Sequence, residues 1–130
     1  MIRSVPVILF AALALYPALA FSQSEKADDT CRNERDETGM AKCRQNIVNE
    51  QTKTMDGYRA ILRKRADDDH KFRTLFDAAE KAWQQHRDAD CKVITYESAN
   101  TRSAGTYRLT CLAKYNKVRI DYLKEMVDSP

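Results

Sequence analysis

The sequence predicts an all-α protein: a small antiparallel three-helix bundle stapled by two disulfides, with an irregular loop between the second and third helices. Three observations predict it. Apolar residues recur at helical spacing in three separate stretches, and only three glycines and three prolines interrupt 130 residues. Four cysteines occur in a short chain that opens with the features of an export signal. Trp83, Arg87 and Cys91 fall at i, i+4 and i+8, so on a helix each lies only about 40° around from the last. That one stripe offers an aromatic anchor, a cation able to lie on it and a sulfur that ties the helix end down.

Residues 1–20 read as a cleaved signal peptide. Arg3 supplies the positive charge, Val5 to Leu15 is nearly all apolar, and Ala18-Leu19-Ala20 gives the small-x-small cleavage pattern. A membrane span needs roughly 20 apolar residues, and Pro6 and Pro17 interrupt this run. An uncleaved anchor is therefore the weaker reading, and no stable membrane insertion is expected after cleavage. The expected location is the periplasm or the medium. Cleavage removes one cation, Arg3, and leaves 21 Lys+Arg against 19 Asp+Glu. The charges are interspersed: the basic run Arg63-Lys64-Arg65 is answered at once by Asp67-Asp68-Asp69. A nucleic-acid partner wants a basic face without that compensation, so none is expected.

An even number of cysteines in a small exported chain favours disulfides. Three pairings of Cys31, Cys43, Cys91 and Cys111 satisfy the count. The spacings, Cys31-x11-Cys43 and Cys91-x19-Cys111, suggest two local pairs. A zinc site using these sulfurs with His70 or His86 is the competing idea, but the close C-x-x-C and H-x3-H spacings are missing. No metal or other cofactor is expected.

Residues 21–38 are polar, without an apolar period, and read as an extended lead-in held by Cys31; residues 39–130 form the helical domain. The first helix is expected over 39–65, where Met40, Ile47, Met55, Tyr58, Ile61 and Leu62 keep close to one face. The aspartate triplet that follows is a helix-start signal, since a carboxylate there caps free amides. With no Gly or Pro at this point, one continuous long helix is the alternative. Phe72, Leu75, Phe76, Ala79, Ala82, Trp83 and His86 then give the strongest periodic signal, a second helix ending near Cys91. Residues 92–107 begin with strand-like Val93-Ile94-Thr95-Tyr96 and pass into a turn-rich stretch ending at Gly105. An ordered loop clamped between Cys91 and Cys111 is expected there, with a short hairpin as its alternative. The last helix is expected over 109–127, with Leu109, Leu112, Tyr115, Val118, Tyr122 and Met126 facing inward and Ile120 and Leu123 broadening that face.

The sequence offers no complete set of catalytic groups. His86 and Asp90 at i, i+4 resemble an oriented base, but no assignable nucleophile completes a triad. Glu34/Glu37 and Asp67/Asp69 lie in highly charged stretches where nothing would raise a carboxylate pKa. Three glycines are too few for a phosphate-cradling loop. A binding protein, not an enzyme, is the expectation. Trp83 is read as a core anchor, with Arg87 packing its stem along the ring and pairing with a carboxylate.

The stretch Ala79-Glu80-Lys81-Ala82-Trp83-Gln84-Gln85-His86-Arg87-Asp88-Ala89-Asp90-Cys91 resembles the A-Q-x-A-W-x-x-x-R-D-x-x-C signature of the LprI-like lysozyme inhibitor domain. Met40-Ala41-Lys42-Cys43 is similar to that family's M-N-x-C, Tyr58 to its mid-helix tyrosine, and Cys111, Arg119 and Leu123 to its last helix. Trp83, Arg87 and Asp88 are thus motif residues. Glu80 departs from the usual glutamine, Ala41 from asparagine, Tyr115-Asn116 from leucine-threonine, and Gly105 stands where a glycine pair is common. The resemblance implies a small exported helical domain whose family activity is lysozyme inhibition, with a lysozyme or other cell-wall hydrolase as protein partner. On this reading Tyr96, Glu97, Ser98, Asn100 and Arg102 of the clamped loop make the contacts. The alternatives are a periplasmic immunity or adaptor protein that binds another envelope hydrolase or a toxin, and a structural envelope-stress protein.

Overall fold

Asp36 begins the first helix. Its backbone is extended, and its carboxylate accepts from the Gly39 amide at 2.7 Å, satisfying one of the donors that a helix start leaves free. A computed structural model describes residues 29–129 of the chain. Within them lie a 3₁₀ turn over Asp29–Cys31 and three helices: α1 (Glu37–Arg65), α2 (His70–Ile94) and α3 (Ala104–Asp128). The expected signal peptide and residues 21–28 of the lead-in lie outside the described residues.

Helices α1 and α2 are separate. Arg63, Lys64 and Arg65 occupy the last turn of α1, where cations suit the negative end of the helix dipole. Ala66, buried, accepts from the Asp69 amide, and the Asp69 carboxylate caps α2 by accepting from the Phe72 amide at 2.9 Å. The aspartate triplet is therefore a start signal, and the chain turns without needing Gly or Pro. At the far end α2 passes Cys91 by one turn. Thr95 stops it, its hydroxyl donating to the Cys91 carbonyl at 2.7 Å.

Helix α3 begins five residues before the expected 109, and no hairpin forms among the described residues. Ser103 and Thr106 both donate hydroxyl hydrogen bonds to the Glu37 carboxylate. A carboxylate at this position is favourable at the positive end of α3, which offsets the poor helix propensity of Gly105 and Thr106.

The Glu37 contact also fixes the topology. Gln51 Nε2 donates to the Ala113 carbonyl at 3.1 Å midway along, and Arg65 Nη1 reaches the Ser129 carbonyl at 3.4 Å at the other end. Helices α1 and α3 therefore run side by side in the same direction and make the most extensive helix pairing, with α2 antiparallel to both. The apolar core gathers towards the Arg65 pole: Met55, Leu62, Phe76 and Leu123 are buried, with Tyr58, Phe72, Trp83, Ile120, Met126 and Val127 packed against them.

The inward face of α3 is rotated from the expected one. Asn116 and Leu123 are fully buried, whereas Val118 is 70% and Tyr122 50% exposed. The polar Asn116 at the centre of the buried face breaks the apolar period and displaces the apparent stripe. Ile61 on α1, and Leu75, Ala79, Ala82 and His86 on α2, likewise face solvent although their spacing puts them on the inner face. The reason is the same: Arg59 and Glu80 hold inward positions that a hydrophobic count leaves empty.

Candidate functional site

Trp83, Arg87 and Cys91 form the expected stripe on α2, and what surrounds it is ionic. The Trp83 ring lies beneath three guanidinium groups, with Arg87 5.0 Å, Arg119 5.5 Å and Arg59 5.9 Å from its centre. Cations over an indole face are attracted by its quadrupole, each by about 0.5–2 kcal/mol depending on desolvation. Glu80, one turn earlier and 4% exposed, links all three helices. Its Oε2 lies 2.7 Å from Arg59 Nε and 2.6 Å from Arg59 Nη2, while its Oε1 accepts from Arg119. Asp56 adds a second carboxylate to Arg59 at 2.9 Å.

Arg87 donates to its neighbour Asp88 through Nε at 2.9 Å and Nη2 at 2.8 Å, and its Nη1 reaches buried Asn116 at 3.0 Å. Trp83, Arg87 and Asp88 are thus brought together as a structural lock. Sequence reasoning noted Glu80 and Arg119 only as matches or departures from a pattern, and missed Arg59. Nothing marks Arg59 in a helix already dense in charge.

The four sulfurs are bonded in two local pairs, Cys31–Cys43 and Cys91–Cys111, with Cα separations of 5.9 and 5.7 Å. This disposes of the zinc alternative, which needed them as free ligands. The Asp90 carboxylate, a candidate partner for His86, instead accepts from the Tyr115 hydroxyl. His86 is exposed and stands edge-on to the Tyr115 ring at 6.0 Å.

The hydrogen bond to Asp90 favours the protonated phenol and raises the Tyr115 pKa above its usual value, with desolvation and the Asp90 charge acting in the same sense. Because the folded value exceeds the unfolded one of about 10, this contribution to stability is full below that pH and is lost as pH rises through the folded value. Urea midpoints of wild type and Tyr115→Phe measured across the alkaline range should therefore converge as pH climbs. A constant gap between the two would show that the phenol proton is not linked to folding.

Beyond Cys91–Cys111 the chain makes the loop 95–103. Successive turns stiffen it: the amides of Ser98, Ala99, Thr101 and Ala104 each donate to the carbonyl three residues back. The hydroxyls of Ser98 and Thr101 donate to the same carbonyls, those of Thr95 and Ser98, at 3.0 and 2.7 Å. Of the residues expected to make contacts, Tyr96 is 79% exposed, and Glu97, Asn100 and Arg102 are also exposed. Ser98 is half-buried, with its hydroxyl engaged in the loop itself.

Glu97 and Ser98 border a groove of about 420 Å³ whose other walls include Ile94, Tyr107, Lys114 and Tyr115. Asn100 and Arg102 lie on the far half of the loop. Val93 and Ile94, read from sequence as strand-like, sit instead at the end of α2 and expose apolar surface beside Tyr96, and Tyr107 is exposed in the first turn of α3.

The family described as "Lysozyme inhibitor LprI" matches residues 28–123 of this chain. The chain belongs to the LprI family. The matched segment contains the disulfides, the Trp83 lock and the loop. A solved structure of a DUF1311 family protein from Pseudomonas putida KT2440 is similar to this LprI chain, with 27% identity and a TM-score of 0.60 over 75% of this chain and 98% of that one. No curated protein matches. Among the described residues no helix of this LprI protein is long and apolar enough to cross a membrane.

Proposed function

We propose that this LprI-family protein is an exported inhibitor of lysozyme that acts by binding the enzyme and not by catalysis, through the loop 95–103. The observation that carries the reading is the clamped loop end. A rigid protrusion with exposed Tyr96, flanked by exposed Val93, Ile94 and Tyr107, stands over a groove and is anchored at its root by Cys91–Cys111. A loop already held in one shape binds with little further ordering cost, and exposed tyrosines are frequent interface anchors. Two disulfides support an oxidising compartment, in keeping with the leader-like residues 1–20.

The test is a cell-wall clearing assay in which purified residues 21–130 are titrated against lysozymes of several structural types. At least one type should be inhibited stoichiometrically. Tyr96→Ala combined with Asn100→Ala should weaken that inhibition at least tenfold, which corresponds to about 1.4 kcal/mol. Lys53→Ala and Lys64→Ala on the exposed face of α1 should leave it unchanged. The reverse pattern would move the binding surface off the loop.

A further inference from the structure

We propose that the loop end is built to enter an acidic cleft, so that Arg102 and Lys92 pair with carboxylates inside the substrate groove of the glycosidase it blocks. This rests on the lysozyme-binding reading above and adds the chemistry of the contact. The whole chain is only mildly basic, but its charge is unevenly committed around the loop. Between residues 92 and 108 there are three cations, Lys92, Arg102 and Arg108, and one carboxylate, Glu97. All three cations are exposed, and none has a carboxylate partner among the described residues.

Glu97 is exposed on the loop itself, but the other acidic groups at this end are occupied internally. Glu37 accepts from Ser103 and Thr106, Asp90 from Tyr115, Asp88 from Arg87, and Asp36 from the Gly39 amide. The end therefore presents apolar and aromatic surface with three uncommitted cations against one exposed carboxylate, Glu97.

Glycoside hydrolysis ordinarily runs on two carboxyl groups flanking the scissile bond, so the cleft of such an enzyme carries negative charge whatever the sign of its net charge. A basic partner would repel this protein at long range and still accept its loop at short range. Complementarity of this kind fixes partner and register more than it adds raw affinity. Tyr96 and Ile94 supply the apolar contact, and Arg102 and Lys92 select the acidic floor.

The experiment takes a lysozyme that the full mature protein inhibits and measures inhibition with a soluble oligosaccharide substrate. Inhibition should be competitive, and the inhibition constant should rise about fivefold or more between 50 and 300 mM salt, as expected for about two screened ion pairs. Arg102→Glu with Lys92→Glu should raise it roughly a hundredfold, whereas Arg102→Lys should restore most of the loss caused by Arg102→Glu. Circular dichroism and the thermal midpoint should not move, since neither residue touches the core. The same lysozyme with its catalytic carboxylates replaced by amides should bind at least tenfold more weakly in calorimetry. Inhibition that is non-competitive, or unaffected by the charge reversals, overturns this assignment and leaves the inhibitor reading standing. Absence of binding to every lysozyme type overturns both.

Discussion

Replacing Glu80 with alanine is expected to destabilise the protein by about 3–5 kcal/mol, the usual cost of removing one partner from a buried ionic pair. The change strands two guanidiniums at once. The Arg59 side chain is 7% exposed and that of Arg119 14%. Once Glu80 is gone, Arg59 keeps Asp56 and the Trp83 ring, and Arg119 keeps the faces of Trp83 and Tyr122. Asp56 is a largely exposed carboxylate that pairs with Arg59 alone, and an aromatic face does not replace the buried charge that Arg119 loses. Glu80→Gln should cost less, about 1–2 kcal/mol, because an amide oxygen still accepts from one arginine while the opposite charge is lost. Urea unfolding curves for the three proteins, compared at equal slope, give the ranking. An alanine variant within about 1 kcal/mol of wild type would mean that the apolar contacts, and not this cluster, hold α2 in place.

The second large effect concerns the Cys91–Cys111 bond. Its removal by Cys91→Ala with Cys111→Ala should cost about 3 kcal/mol on the chain-entropy estimate for a loop of this length. Cys31–Cys43 closes a shorter loop by a similar estimate, but it tethers only the 3₁₀ turn to α1. The two removals should therefore differ in what they release. Loss of Cys91–Cys111 should speed hydrogen exchange at the Ser98, Ala99 and Thr101 amides and weaken lysozyme inhibition. Loss of Cys31–Cys43 should do neither. If inhibition survives removal of Cys91–Cys111 undiminished, pre-organisation of the loop contributes nothing to binding.

What could be read from the residues was set by how local its cause is. The number of helices, the capping aspartate and the Trp83–Arg87 contact all follow from neighbours within a few positions, and all are present. The pairing of the cysteines followed from loop length. The start of α3 was misplaced because its support, Glu37, comes from a residue far back in the chain. The inward face of α3 was misjudged because its centre is Asn116, a polar residue that only makes sense once Arg87 is known to meet it. Arg59 was invisible for the same reason, since a buried arginine has no local signature without its carboxylate. The loop residues were identifiable as a group. Their division into groove-lining Glu97 and Ser98 and outlying Asn100 and Arg102 depends on where α2 and α3 end.

The placement of the apolar core has a consequence for how this protein can change over generations. Leu62, Phe76 and Leu123 cluster near one pole, and at 1.5 Å per residue the axis of α3 from Ala104 to Leu123 spans roughly 28 Å. Residues that keep the chain folded and residues that meet the outside world therefore occupy separate territories, joined by a salt-bridged waist and a sulfur hinge. On the proposed reading, substitutions at exposed tip positions such as Tyr96, Asn100 and Arg102 leave the buried core untouched, so the contact surface can vary while the scaffold is inherited intact.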